Sequence, residues 1–166
     1  MRYINRCSLL GVLLTSLLIA LSLPAGAEGA RRKKIVGATE QVRVEEADLE
    51  FRARIDSGAE GSSIHTQSVE VEGRSKEMAR NVGKEVTFRV KNEKGKVTEL
   101  RRTIQDVVRV KNAEGGERRY QVYLTILHGK SRKRVLVYLD DREDMPEKLL
   151  LGRNWLGSDF LIDVGR

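Results

Sequence analysis

Ile55-Asp56-Ser57-Gly58-Ala59 and Leu149-Leu150-Leu151-Gly152-Arg153-Asn154-Trp155-Leu156 are the two stretches on which the reading of this 166-residue chain turns. The first closes an alternating run, Leu49, Phe51, Ala53 and Ile55 with charged residues between them, and then enters a glycine-containing turn. That is a way to present the Asp56 carboxylate on a tight loop. Gly58 lets the backbone approach the carboxylate, Ser57 can hydrogen-bond within the loop, and Ala59 leaves room for packing. Alone, a D-S-G tripeptide also reads as an ordinary turn. The second stretch places three apolar residues before a glycine and then a short helical segment.

Outward from these stretches the chain alternates with a period of two. Val42 and Val44 lead to a turn at Glu46-Ala47-Asp48, Val69 and Val71 precede Gly73, and Val86, Phe88 and Val90 precede a turn at Asn92-Glu93-Lys94-Gly95. Val97 to Ile104 is extended, Val108 and Val110 lead to a turn at Ala113-Glu114-Gly115-Gly116, and Tyr120 to Ile126 and Val135 to Leu139 alternate again. Short strands at this spacing, divided by Gly and Asn turns, predict an all-β barrel or sandwich. One helical segment is expected, starting near Arg153 and including Trp155, Leu156, Phe160 and Leu161, interrupted by Gly157 and so one or two turns long. Glu72 to Gly83 is polar and without period, which predicts a mobile loop.

The first residues are of a different material. Arg2 and Arg6 precede a 15-residue apolar run from Leu9 to Leu23, Pro24 breaks it, and Ala25-Gly26-Ala27 offers small residues for a signal peptidase. Residues 1–27 therefore read as a signal peptide cleaved after Ala27, with a retained anchor as the alternative. The run falls short of the roughly 20 residues that cross a bilayer as a helix. The protein is expected in the periplasm or outside the cell. Residues 28–34, with Arg31-Arg32-Lys33-Lys34, form a basic flexible leader, and residues 35–166 the folded domain. The one cysteine, Cys7, leaves with the signal, so packing or oligomerisation must hold the mature chain together. The mature 139 residues carry a net charge of +5, which suits anionic partners. Aromatics make up 5% of the chain, too few for a base-stacking surface, so no nucleic-acid partner is expected.

Together the D-S-G-A loop and the apolar-apolar-Gly strand running into G-R-N resemble the retropepsins. The longer run Asp56-Ser57-Gly58-Ala59-Glu60-Gly61-Ser62-Ser63-Ile64-His65 is similar to one branch of them, the bacterial retropepsin-like aspartic endopeptidases formerly labelled ATP-dependent zinc proteases. The residues do not support that older label. Zinc catalysis usually needs three protein ligands. This chain has two histidines, His65 and His128, no mature cysteine and no H-E-x-x-H motif. Gly129-Lys130-Ser131 mimics the end of a P-loop, but Leu124 stands where its first glycine belongs. No metal and no cofactor is expected.

The resemblance implies a closed retropepsin-like barrel with one short C-terminal helix and a catalytic Asp56. Aspartic peptidases use two carboxylates that share a proton. This chain has one D-S-G, so the second must come from another copy, and a homodimer is expected. By the same resemblance Ser57 bonds across the dimer, Gly58 offers its carbonyl to substrate, and Arg153 pairs with Glu60 beside the site. Glu72 to Gly83 is expected to be the flap over the substrate. The implied substrate is a peptide or acidic peptide, with glutamyl-type amide bonds in view because members of the branch are linked to ATP-grasp glutamate ligases; an envelope membrane protein is a further partner to consider. A non-catalytic binding module on the same barrel is the alternative, and a weakly paired monomer active only with a membrane partner is a third. Ser57 replaces the usual Thr, and Gly61 replaces a bulkier residue and is expected to loosen the loop. Asp140-Asp141 and Glu143-Asp144 read as a solvated acidic turn with calcium as the alternative, His65 as structural, Trp155 as core, and Arg153-Asn154 alternatively as a plain helix start.

Overall fold

The computed structural model of the chain describes residues 32–110 and 115–166. The expected signal peptide, its cleavage after Ala27, part of the basic leader and the Ala113-Glu114 half of one expected turn lie outside them.

Alternating apolar residues give eleven strands: β1 (Lys34–Val36), β2 (Thr39–Val44), β3 (Leu49–Ile55), β4 (Ser62–Val71), β5 (Glu85–Lys91), β6 (Val97–Thr103), β7 (Asp106–Val110), β8 (Glu117–His128), β9 (Ser131–Asp140), β10 (Leu149–Leu151) and β11 (Phe160–Ile162). The one α-helix, α1 (Arg153–Leu156), is four residues long. The strands β10, β3, β2, β8, β9 and β4 run side by side in that order, and β4 pairs with β10 again, so six strands close into a barrel. The all-β retropepsin-like barrel expected from the sequence is the fold observed. Phe51, Ile64, Leu124, Ile126, Leu149, Leu151 and Trp155 are fully buried in its core. Phe160 and Leu161, expected in the helix, belong instead to β11, because Gly157 ends α1 with φ +48° and the chain turns back.

The short β10 decides the topology. It pairs parallel to β3, with Leu151 opposite Ile55, and antiparallel to β4, with Leu149 opposite Ile64. It thus lies between two strands that are consecutive in the chain. Its Leu149 and Leu151, on the face turned to the core, have no exposure, while Leu150 on the other face is half-buried.

Behind β10 lies a buried polar network. Arg142 donates from Nε to the Glu147 carbonyl (3.1 Å) and from Nη1 to Ser63 Oγ (3.3 Å). Its backbone N–H donates to His65 Nδ1 (3.0 Å), so a neutral His65 carries its proton on Nε2. Glu143 Oε2 lies 2.8 Å from Nε2, a close contact that is not aligned as a hydrogen bond, and Glu143 Oε1 takes Lys91 Nζ (2.7 Å). Arg119 Nη1 meets the buried Asp140 at 2.8 Å. The acidic residues of this turn are thus drawn to separate partners, Asp140 to Arg119 and Glu143 to Lys91, while Asp141 accepts the Glu143 N–H (3.0 Å).

The stretch expected to be a mobile loop and flap is instead tied down. Asn81 has no exposure; its Oδ1 accepts the Ser75 N–H (2.7 Å) and its Nδ2 donates to the Ser75 carbonyl (3.0 Å) and to the Tyr120 hydroxyl (2.8 Å). Gly83 N–H donates to the Ile104 carbonyl (2.9 Å). One asparagine supplies the order that a periodic pattern would otherwise have signalled.

Burial, partly opposed by Glu143 and Asp141, holds the His65 imidazole below its ordinary value of 6.5, so the unfolded chain takes up that proton first. The contribution of neutral His65 to stability is therefore whole above about pH 6.5 and is lost as the pH falls below it. Urea unfolding measured between pH 5 and 7.5 is expected to show a steeper loss of stability on acidification for the wild type than for His65→Gln. Equal slopes would mean that His65 is not the group that titrates.

Candidate active site

Asp56 follows the last residue of β3, and its N–H donates to the Leu151 carbonyl at the end of β10 (3.0 Å). The loop from Asp56 to Gly61 must then arch over the end of β10 to reach β4. Asp56 Oδ1 accepts the N–H groups of Gly58 (2.9 Å) and Ala59 (3.2 Å), which folds the loop around its own carboxylate. A side chain at Gly58 would begin 3.1 Å from that oxygen, so glycine keeps the approach open. Asp56 Oδ2 has no hydrogen-bond partner among the described residues. The carboxylate is half-buried, with Ser57 and Gly58 exposed beside it.

The first turn of α1 holds the loop from below. A helix start leaves its leading N–H groups without intrahelical partners. Here Gly152 N–H donates to Ser62 Oγ (3.1 Å), Arg153 N–H to the Ala59 carbonyl (2.9 Å) and Asn154 N–H to the Glu60 carbonyl (3.2 Å). Ser62, fully buried, donates in turn to Asn154 Oδ1 (2.7 Å), and Asn154 Nδ2 donates to the Leu136 carbonyl (2.7 Å). Asn154 is therefore more than a plain helix start. Ser62 and Asn154 are supports of the Asp56 loop that sequence reasoning missed; the G-R-N motif held the signal for Asn154, while nothing local marked Ser62.

Arg153 grips the loop, but not where the sequence suggested. Its Nη1 donates to the carbonyls of Ser57 (3.1 Å) and Gly58 (3.0 Å), and among the described residues no ion pair joins it to Glu60. The reason is geometric: the Glu60 backbone is already held by Asn154, which leaves its carboxylate exposed, and the guanidinium reaches the two carbonyls of the turn instead. The Gly58 carbonyl, expected to face substrate, thus already accepts one hydrogen bond.

Gly61 does not loosen the loop. It is buried, and a Cβ there would lie 2.5 Å from the Tyr138 ring. The missing side chain makes room for that ring. A groove of about 530 Å³ opens between this part of the loop and β7, with Glu60 and Gly61 on one wall and Val108 and Arg109 on the other. It is β7, rather than Glu72 to Gly83, that faces the loop across this groove.

A family model described as RimB-like, the retropepsin-like aspartic endopeptidase RimB, matches residues 35–166. The crystal structure of a protein of unknown function (DUF785) from Legionella pneumophila subsp. pneumophila str. Philadelphia 1 is similar with a TM-score of 0.65 and 23% sequence identity, covering 81% of this chain and 96% of that one. That likeness is one of fold. No curated protein matches the chain.

Gly152 is the tightest point of the site: a Cβ there would lie 2.4 Å from the Gly61 carbonyl oxygen and 2.9 Å from that of Ala59. Gly152→Ala is expected to cost at least about 2 kcal/mol through overpacking against backbone. Ser62→Ala, which removes two buried hydrogen bonds, is expected to cost about 1–3 kcal/mol. Urea denaturation measures both. An unchanged midpoint for Gly152→Ala would show that the loop does not lie against α1.

Proposed function

The chain belongs to the RimB-like family of retropepsin-like aspartic endopeptidases, and from that membership we propose that it is an exported aspartic peptidase that hydrolyses peptide or glutamyl-type amide bonds with two Asp56 side chains, one from each subunit of a homodimer. The observation that carries this reading is the state of the Asp56 carboxylate. One oxygen is fixed by two backbone N–H groups, and the other is without a partner among the described residues on a half-exposed loop. A carboxylate held in that way is positioned but not used up.

A single carboxylate cannot both activate water and protonate the scissile carbonyl. Two of them brought within a few ångströms cannot both ionise, so one keeps a proton and polarises the carbonyl while the other takes a proton from water. The exposed Ser57-Gly58 turn is accessible to a second copy of itself across a two-fold axis. The parallel pair β1–β11 offers an apolar surface for such pairing. Ile35 stands opposite Leu161, 55% and 52% exposed respectively, and Val164 beyond them is 83% exposed. Ser57 bonding across the dimer and Arg153 bracing the turn from within each subunit would stiffen the paired loops.

Asp56→Asn is expected to reduce cleavage of a peptide library to background while leaving the dimer intact, read by mass spectrometry of the digests and by light scattering on a sizing column. Full activity in that variant removes Asp56 from the mechanism. A stable monomer that binds peptides without cutting them favours the binding module.

A further inference from the structure

Four strands place Asp106, Gln121, Tyr138 and Ser63 in one row, as neighbours from β7 through β8 and β9 to β4. The groove beside the Asp56 loop opens along this row, with Glu60, Gly61, Gln121, Tyr138, Arg109 and Asn154 among its walls. Gln121 lines this groove with 6% of its surface exposed, and no described residue hydrogen-bonds its carboxamide. A carboxamide that opens onto a groove beside the Asp56 loop and is bound by no described protein group can donate to and accept from a ligand there. Asn154 is not equivalent, because both ends of its amide are already engaged by Ser62 and Leu136.

Tyr138 stands next to Gln121. A Cβ on Gly61 would lie 2.5 to 2.7 Å from the edge of its ring and its hydroxyl oxygen, so glycine at 61 admits the phenol against the loop. That hydroxyl also has no partner among the described residues. Burial, and then the nearby Glu60, keep it protonated and able to donate. The charges around it favour a neutral guest. Glu60 is exposed on one wall, Asp106 ends the row, and Arg119 is already engaged by Asp140 and Glu117. Arg109 is the guanidinium on the wall and donates to the Gly115 carbonyl (3.2 Å). A carboxylate entering here would meet Glu60 and Asp106. A carboxamide can donate its N–H groups to Glu60 and to Gln121 Oε1 and accept from the Tyr138 hydroxyl.

The geometry points to a specificity subsite for an uncharged carboxamide side chain, glutamine or asparagine, read by Gln121 and Tyr138. This deepens the peptidase reading above and rests on it for the sense in which the guest is a substrate.

The test uses the full chain as Asp56→Asn, which keeps the groove, and calorimetry with alanine-based hexapeptides carrying one Gln, Glu or Leu at each position in turn. The tightest Gln peptide is expected to bind about 10-fold more tightly than its Glu and Leu counterparts, as befits one or two neutral hydrogen bonds. Tyr138→Phe and Gln121→Leu, each added to Asp56→Asn, are expected to remove about 3–10-fold of that preference, and Glu60→Gln to raise affinity for the Glu peptide, which a merely structural role would not do. Thermal melts identify any variant that has lost its fold, and the conservative Tyr138→Phe keeps the test decisive. Equal binding of the three peptides, no binding of any, a preference for Glu or Leu, or an undiminished Gln preference in both folded variants overturns the subsite. Wild-type protein that cuts none of the peptides counts against the peptidase reading instead, and the binding ratios still decide the subsite.

Discussion

A three-residue strand separates two strands that the chain joins directly, and the Asp56 loop owes its shape to that separation. With β10 between them, β3 and β4 cannot pair, so the six residues from Asp56 to Gly61 have to cross above the end of β10. The crossing is possible only because Gly152 has no side chain: its backbone lies against the carbonyls of Ala59 and Gly61. Once there, the loop offers carbonyls where α1 needs acceptors, and Ser62 supplies another. Helix capping and loop positioning are the same set of hydrogen bonds, so neither is expected to survive loss of the other.

The strand itself is held from behind. The turn between β9 and β10 has no apolar periodicity and is organised by charge. Arg142 fastens it to Ser63 of β4 and to the Glu147 carbonyl, and the Arg142 amide leans on His65. Because these groups are buried, each matters through the cost of leaving its partner unsatisfied more than through its own attraction. The many exposed ion pairs on the outer faces, such as Arg101 with Glu72, contribute little by comparison. The barrel therefore depends on a few interior polar contacts where the chain enters β10, and Asp56 sits where it leaves.

The end that carries Asp56 combines rigidity with open valence. Asp56 has one oxygen fixed and one free, Ser57 and Gly58 are exposed, and the Gln121 carboxamide and Tyr138 hydroxyl face a groove without partners among the described residues. The buried Asn81 and Asn92 are by contrast hydrogen-bonded, to Tyr120 and to the Glu50 carbonyl. Polar groups open to a groove beside a fixed carboxylate are what a binding site requires.

Period-two alternation was enough to predict the strands from Val42 to Leu139, and the two motifs together were enough to predict a retropepsin-like barrel with Asp56 on its loop, because side-chain alternation and glycine turns are local properties of the chain. Gly157 read correctly as an interruption of the helix, but apolar spacing could not show that Phe160 and Leu161 beyond it form a strand. Glu72 to Gly83 read as mobile because its order comes from long-range contacts, Asn81 to Tyr120 and Gly83 to Ile104, that no local pattern displays. Arg153 was known to matter, but its partners, the Ser57 and Gly58 carbonyls rather than Glu60, are 96 and 95 residues distant and are backbone atoms that no sequence displays. The place of Gly61 as a seat for Tyr138 was decided in the same way. Local chemistry determined which residues could act; the closing of the barrel around β10 decided which of them meet, since strands far apart in the chain become neighbours only when the sheet shuts.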